Sequence, residues 1–480
     1  MNVEHVRKVT DFLWEVNRSG RMRVPARIYA SEKMLESIFA DKAPEQAANV
    51  ACLPGIVSFS LAMPDIHWGY GFPIGGGAAF DMEEGVISPG GVGYDINCGV
   101  RLMASKLKRQ DIAPRMERLM TVLFATVPTG VGASGALNVA AGELRKVAVE
   151  GAQWAQARGY GTAGDVAHIE EQGRLAGADP DAVSKRAWER AAGQVGTLGS
   201  GNHFIEVGYV GEIYDEAAAR AFGLALDQVT VSIHCGSRGY GHQICEDHLS
   251  VMDRAARTYG IELPDRQLAC APVRSPEGQE YLGAMRCAVN YAFANRQVIA
   301  HQVREAFGKA LDRAPGDVAL RTVYEIAHNI AKMETHIVDG QPRELCVHRK
   351  GATRAFAPGH ADVPPEYRAV GQPVLIPGDM GRCSYVLAGT AKAMRDTFGS
   401  ACHGAGRLMS RKKAIQRAHG RNILRELAER GIVVKAQDRQ TIAEEMSEAY
   451  KDVSDVVEVC HAAGIATKVA KLLPLGCIKG

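Results

Sequence analysis

Five side chains of metal-binding type stand where glycine or a strand end would expose them: Asp95, Cys98, His203, His234 and His328. Asp95 and Cys98 lie three apart in GVGYDINCGVR, a glycine-flanked spacing that bends a carboxylate and a thiolate toward one ion. In the run from Gln228 to His234, alternation sets Val229, Val231 and Ile233 on one face and Thr230, Ser232 and His234 on the other. His234 thus ends a polar face. The same alternation places His328 with Tyr324 and Ile326 at the end of its strand. His203, in GSGNHFIE, fits less simply, because regular alternation sets it opposite Asn202 and Glu206; Gly199 and Gly201 must supply a twist. Taken singly, each histidine reads equally well as an ordinary core or strand-end imidazole. As a set they point to metal chemistry. Imidazole and carboxylate suit manganese, zinc or iron and a thiolate leans toward zinc, which leaves the metal open. Five ligands exceed the four of a closed structural zinc site and point to two ions sharing Cys98.

A sixth candidate is His403, in ACHGAGR. Gly404 and Gly406 let backbone amides approach an anion, and a helix expected over Leu408 to Arg430 directs its positive end there. His403 is open to three roles: metal ligand, general acid or nucleophile. A neutral imidazole attacks phosphorus to give a labile phosphoramidate. Arg407 and Arg411, one helical turn apart, would clamp phosphate oxygens. Arg407, Arg411, Lys412, Lys413, Arg417, Arg421 and Arg425 follow one another with no intervening acid. Most charge runs are solvated faces, yet the absence of acids favours an RNA or nucleotide contact.

These residues are scattered from Asp95 to His403, so one intertwined domain over residues 1–480 must bring them together. The net charge of +2, from 56 basic and 54 acidic side chains, excludes a polycation and confines any nucleic-acid contact to a local patch. Eleven cysteines without a CxxC pair, and a start (MNVEHVRKVTDF) lacking an apolar core and cleavage site, lead us to expect a soluble cytoplasmic protein. No apolar run approaches the roughly 20 residues that span a bilayer.

Periodicity predicts helices over Val3–Val16, Ser31–Ala48, Ala136–Ala157, Ile169–Ala192, Ile213–Leu226, His242–Tyr259 and Gln279–Leu311. It predicts strands over Val229–Ile233 and Arg321–Ile326 and a β-like stretch from Arg343 to Leu387. The glycine-dense segment from Gly55 to Gly99 reads as folded backbone packed close to a ligand. Strands and helices mix without steady alternation, which makes the fold class α+β. Gly130 to Gly135 satisfies GxGxxG after the apolar run Val122 to Val127, with Glu150 downstream, but no second βαβ unit follows. Neither a GxxxxGK[ST] loop nor a KxDG string occurs, so lysine is not the obvious nucleotidyl carrier.

Together PDIHWGYGFPIGG, GVGYDINCGVR, GSGNHFIE, IHCGSRG, AHN, PGDMGRCSYVLAGT, CHGAGR and the closing Lys479-Gly480 resemble the RtcB family of RNA-splicing ligases over essentially the whole chain. The resemblance implies an α+β domain of mixed β-sheets surrounded by helices. It implies a GTP- and Mn²⁺-dependent enzyme joining RNA 3′-phosphate or 2′,3′-cyclic phosphate ends to 5′-hydroxyls. Asp95, Cys98 and His203 would hold one Mn²⁺, and Cys98, His234 and His328 the other, with His403 becoming guanylylated. The guanylate pocket would comprise Asn202, His203, Phe204, Ile205, Glu206, His328, Asn329, Pro377, Gly378, Asp379, Met380, Ser384, His403, Gly404, Ala405, Gly406 and Lys479. In it Glu206 accepts from the guanine edge. At position 379 the resemblance leads us to expect a small hydroxyl residue; an acid stands there, with Arg382 near enough in sequence to offset it. Arg238, Arg407 and Arg411 would clamp RNA phosphates, and Asp65 with His67 would support the site. The implied partners are RNA, as tRNA halves or broken strands, and an archease-type activator of a monomer that does not engage membranes.

Two rivals use the same residues: a binuclear phosphodiesterase with His403 as general acid, and a noncatalytic RNA-binding protein with a structural metal. A structural metal requires that Cys98→Ala unfold the chain. We expect instead a thermal unfolding transition close to that of the wild type with activity lost; a collapsed circular-dichroism melt would favour the structural role.

Overall fold

The computed structural model describes residues 6–135, 137 and 139–480; Val3 to His5, and Ala136 and Asn138, all within expected helices, lie outside them. Among the described residues two large sheets carry the architecture. One runs in the order Arg321–Ala327, Gly99–Lys108, Gln228–Cys235, Phe204–Ile213, Ala466–Lys479, Ser384–Gly389, Pro373–Ile376, with Val433–Ala436 pairing parallel to Ala466–Lys479. The other runs Val6–Thr10, Leu13–Val16, Ala26–Tyr29, Ile56–His67, Ile74–Asp81, Gln341–Lys350, Asn329–Val338. The mixture of these sheets with helices is the α+β class that the sequence predicts. No helix among the described residues is long and apolar enough to cross a membrane.

The alternation in Gln228–Cys235 determines how the first sheet is covered. Val229, Val231 and Ile233 pack with Ile299, Val303 and Phe307 of the helix Pro276–Leu311, while Thr230, Ser232 and His234 take the opposite face. Burying each of the apolar side chains contributes roughly 1.5–3 kcal/mol. That helix is 36 residues long, buried along most of its length, and spans about 54 Å. Pro276 opens it, and the Ser275 hydroxyl accepts from the Gly278 N–H at 3.1 Å.

From the helix one charged side chain, Arg296, reaches the site's foundations. Arg296 donates to Glu325 at 2.8 Å, and Glu325 also pairs with Arg101; all three are fully buried. Arg296 further donates to the Asn97 carbonyl at 2.7 Å, the Asn97 side chain at 3.0 Å and the Cys235 carbonyl at 2.6 Å. One guanidinium thus ties the Asp95–Cys98 turn to the end of the His234 strand.

Several expected elements are corrected. The segment expected as helix over Val3–Val16 contains the antiparallel strands Val6–Thr10 and Leu13–Val16, where β-branched residues pair across a tight turn. Ile169–Ala192 is helical only at Lys185–Ala191, because Glu171 and Gln172 take positive φ and Gly173, Gly177 and Pro180 interrupt the rest. Ile213 ends a strand, and the helix there is confined to Glu216–Phe222 behind an Asp215 cap. The basic helix splits into Arg411–Ala418 and Ile423–Glu429 at Gly420, whose φ is +78°. The GxGxxG decoy follows the helix Met116–Thr126 rather than a strand, which removes the dinucleotide fold from under it. The glycine-dense segment does form regular strands, Ile56–His67 and Ile74–Asp81, on either side of its tightest turns.

Glu325→Ala would leave two buried guanidinium groups sharing no carboxylate, and we expect a loss of roughly 3–5 kcal/mol in denaturant unfolding. A change below about 1 kcal/mol would show that the ion triad is not what anchors this region.

Candidate active site

The Asp95–Cys98 segment is a tight turn, with the Cys98 N–H donating to the Asp95 carbonyl at 3.0 Å and Asn97 at φ +53°. Asn97 is pinned on every side: besides Arg296, its amide reaches the Val289 carbonyl at 2.7 Å and its N–H the Asn329 carbonyl at 2.7 Å. Both donors of the turn are thereby aimed the same way. His234 projects from its strand onto them. His203 precedes the strand Phe204–Ile213, so alternation does not govern it; Gly199 (φ +86°) and Gly201 (φ +75°) turn the chain as the sequence required. His328 is the single residue between Arg321–Ala327 of one sheet and Asn329–Val338 of the other, its N–H donating to the Cys98 carbonyl at 2.9 Å.

The donors converge. Cys98 Sγ lies 3.5 Å from His203 Nε2 and 3.2 Å from His234 Nε2, which is 3.3 Å from His328 Nε2; His203 Nε2 is 2.8 Å from Asp95 Oδ2. Two sets sharing Cys98 could each hold an ion: Asp95, Cys98 and His203, and Cys98, His234 and His328. His203 Nδ1 faces the Leu198 carbonyl at 3.0 Å, which turns Nε2 toward Asp95 and Cys98; against its burial, the neighbouring thiols and the Asp95 carboxylate raise the ring well above the ordinary imidazole range, so a cation held there must displace a proton. Burial, then the neighbouring imidazoles, holds His234 and His328 well below the ordinary imidazole range, so both present lone pairs. Burial and then the Asp95 charge push the Cys98 thiol up to about 12; it acts as a thiolate only beside a cation. Opposed lone pairs at these distances fit divalent ions.

His403 follows the short strand Ser400–Cys402 and meets this cluster edge on, its ring 4.9 Å from that of His328. Asp65, fully buried, lies under the loop. Its Oδ2 accepts from His403 Nδ1 at 2.5 Å and from the backbone N–H groups of His403 at 2.9 Å and Gly404 at 3.2 Å. Burial alone would raise the Asp65 carboxyl, but the His403 ring, those N–H donors and Lys451 outweigh it and hold the group below the usual range. Lys451 donates to the Pro64 carbonyl at 3.0 Å and the Ile66 carbonyl at 2.6 Å, bracketing Asp65. The loop can sit so low only because Gly406 has no Cβ, which would meet the Asp65 carbonyl oxygen at 2.2 Å. With Nδ1–H given to Asp65, His403 turns its free Nε2 outward. His67, held neutral at about 3 by burial, donates Nδ1–H to the Asp65 carbonyl at 2.9 Å.

Much of this faces one cavity of about 420 Å³, with His203, Asp65 and Lys451 set behind its wall. Asp95, Cys98, His234, His328 and His403 line it together with Asn202, Phe204, Glu206, Asn329, Pro377, Gly378, Asp379, Met380, Gly404, Ala405, Gly406, Lys479, Arg407 and Arg411. Lys479 reaches it because Ala466–Lys479 pairs with Phe204–Ile213, setting Lys479 opposite Phe204; its Nζ stands 5.5 Å from the Phe204 ring centroid. Some expected residues fall elsewhere. The Ile205 side chain points the other way into the core, as alternation demands. Ser384 lies behind Glu206, its hydroxyl 3.4 Å from Glu206 Oε1. Arg238 lies across Gly199 and contacts His203 Nδ1 at 3.4 Å. Arg407 precedes the basic helix, so it does not share a helical face with Arg411, and its donors go to Glu445, Tyr450 and the Met409 and Glu444 carbonyls. The run that carries no acid is met by acids from elsewhere: Glu444 and Glu445 at Arg411, Glu426 and Glu448 at Arg421, and Glu429 at Arg425.

Sequence reasoning missed Tyr70, Tyr94, Lys350, Glu445 and Tyr450, which also line the cavity. Lys350 ends the largely polar strand Gln341–Lys350, whose sequence carries no mark of a cavity residue. It donates to the Phe72 carbonyl at 3.1 Å and the Gly90 carbonyl at 3.0 Å, and burial lowers it to about 7.

Fold and site together define a class: a two-sheet α+β enzyme whose thiol, carboxylate and imidazole donors meet beside an oriented histidine on the wall of one cavity. Comparison with known proteins is specific. A family model described as tRNA-splicing ligase RtcB matches residues 46–480. The chain is 56% identical to the tRNA-splicing ligase RtcB of Archaeoglobus fulgidus over 483 residues, 100% of both chains. It is 53% identical to that of Thermococcus kodakarensis over 476 residues, 99% of each. To the RNA-splicing ligase RtcB of Mycobacterium tuberculosis it is 52% identical over 438 residues, 91% of this chain and 100% of the relative. The chain belongs to the RtcB family, and with it to the ligase class of enzymes.

Replacing Asp65 by Asn removes the charge that orients His403, and we expect ligation to fall about 10²- to 10⁴-fold, the cost of losing a histidine's orienting carboxylate. The melting temperature should move little. Ligation at the wild-type rate would remove Asp65 from this role.

Proposed function

We propose that residues 1–480 act as one RNA ligase domain that joins RNA 3′-phosphate or 2′,3′-cyclic phosphate ends to 5′-hydroxyl ends, using GTP through a guanylyl group on His403. The observation that carries this reading is the Asp65–His403 pair. With Nδ1 engaged by Asp65, Nε2 is the ring nitrogen available on the wall of the cavity that also holds the thiol and imidazole cluster. The donor set suits Mn²⁺, with Asp95, Cys98 and His203 holding one ion and Cys98, His234 and His328 the other. When bound, the ions would stabilise charge at the phosphorus under attack.

His403 Nε2 attacks the α-phosphorus of GTP; the P–N bond forms as the bond to pyrophosphate breaks. An oxygen of the RNA 3′-phosphate then displaces His403, giving an RNA-(3′)pp(5′)G end, after water has opened any cyclic phosphate. Last, the 5′-hydroxyl of the second strand attacks the activated 3′-phosphate and GMP leaves. Activation is necessary because a bare phosphate would have to expel oxide. Asp65 accepts His403 Nδ1–H throughout, so the ring can carry the transient positive charge. The Gly404 to Gly406 backbone and Lys479 suit the nucleotide phosphates and base. Phe204 and Glu206 suit the guanine face and edge. Ser384 and Asn202 would support that pocket, His328 and Asn329 its metal side, and the Pro377 to Met380 turn its floor.

Among the arginines Arg411, exposed at the rim of the cavity, is the best-supported contact for RNA phosphate, ahead of Arg238 and Arg407, whose donors are engaged inside the fold. We infer a monomer acting on tRNA halves or broken RNA in the cytoplasm, aided by an archease-type activator.

Incubation with α-labelled GTP and Mn²⁺ should give a covalent, acid-labile and base-stable adduct that disappears in His403→Ala. A phosphodiesterase would form none, and an adduct surviving in His403→Ala would overturn the assignment of the nucleophile.

A further inference from the structure

At the base end of the cavity stand two carboxylates, Glu206 and Asp379, beside Phe204, Met380 and Lys479. Asp379 follows the strand Pro373–Ile376, and its side chain is fully buried. Oδ1 is satisfied, accepting from the Gly381 N–H at 3.0 Å and from the Ser447 hydroxyl. Oδ2 has no hydrogen-bond partner. The nearby cation, Arg382, stands off at 3.5 Å and donates instead to the Lys451 carbonyl at 2.9 Å. A buried acceptor of this kind calls for a donor that the described residues do not supply.

Glu206 is similarly short of donors, since among the described residues only the Ser384 hydroxyl donates to it, at 3.4 Å. Burial and then the charge of Asp379 raise it to about 8, against opposing effects of Ser384 and Lys479. Two acids facing one apolar-walled space select for a ligand edge rich in N–H groups. The pairing edge of adenine offers an amino group beside a lone pair, and that of hypoxanthine a single N–H. Guanine offers N1–H and both hydrogens of its 2-amino group on one edge.

We propose that Asp379 is a specificity-determining residue that accepts from the 2-amino group of the purine while Glu206 accepts from N1–H, so that the site selects 2-amino-6-oxopurine nucleotides over 6-oxopurine ones. This rests on the nucleotide-transfer reading above and adds a second reader to it. The acid at position 379, where a hydroxyl residue was expected, is then a gain in discrimination.

The test is equilibrium binding of GTP and of inosine 5′-triphosphate, which lacks only the 2-amino group, to the full chain with Mn²⁺. The wild type should bind GTP tighter by about 10- to 150-fold, the range for one charge-assisted hydrogen bond. In Asp379→Ala that ratio should fall at least about fivefold, through weaker GTP binding with inosine triphosphate almost unchanged. Asp379→Asn, which keeps the shape of the turn, should show the same direction if the alanine variant does not fold. Equal binding of the two nucleotides by the wild type, or a wild-type ratio in a folded variant, overturns the proposal. The ratio is read without any covalent step. Absence of a His403 adduct with GTP bound would therefore sink the ligase mechanism and leave the base reader standing.

Discussion

The buried guanidinium of Arg296 holds together what the chain separates by more than a hundred residues. It binds the carbonyl and side chain of Asn97, inside the turn that carries Asp95 and Cys98, and the carbonyl of Cys235, next to His234. Glu325, three residues before His328, neutralises it together with Arg101. A charge so deep is tolerable only when its donors are met by acceptors of fixed geometry, and satisfying it draws the turn, the strand end and the crossover residue into one place. The helix Pro276–Leu311 supplies both this guanidinium and the apolar surface on which the sheet rests, so core packing and ligand placement share one element.

A second constraint closes the site from the opposite sheet. Asp65 belongs to Ile56–His67, and the residues it orients arrive from the far end of the chain: His403 and Gly404 directly, Lys451 through the carbonyls on either side. Its carboxylate stays ionised in a dry environment because three N–H donors and a nearby ammonium group compensate its burial. The same interactions decide which imidazole nitrogen faces the cavity. The orientation of His403 therefore rests on one hydrogen-bonded cluster.

The cavity wall is divided by charge. Imidazoles, the Cys98 thiol and the Asp95 carboxylate stand together on one part of it, Glu206 and Asp379 on another, and Lys479, Lys350 and Arg411 line the remaining surfaces. Such a division suits a ligand with a phosphate chain in its middle and an N–H-rich ring at one end. The arginine run is not a free polycation, because acids from Glu426 to Glu448 and the Tyr450 hydroxyl engage its arginines, Arg411 at the cavity rim among them.

From the residues alone the side chains that converge around Cys98, the loop around His403, the α+β class and the long helix near 279–311 were legible, since each depends on local pattern: strand alternation, glycine beside a reactive side chain, sustained helical periodicity. The N-terminal hairpin was not, because Val6–Thr10 is an exposed edge strand whose pairing with Leu13–Val16, and not its own periodicity, makes it extended. Nor could Lys350, Glu445 or Tyr450 be assigned to the cavity, as nothing near them in sequence announces a pocket. What the chain determined by itself was the chemistry available, a thiol, carboxylates and imidazoles able to bind metal and attack phosphorus. Which of those groups meet, which ring nitrogen is free and which acid lacks a partner were decided only by tertiary structure, because burial and long-range hydrogen bonds, not neighbouring residues, set the charge and direction of each group.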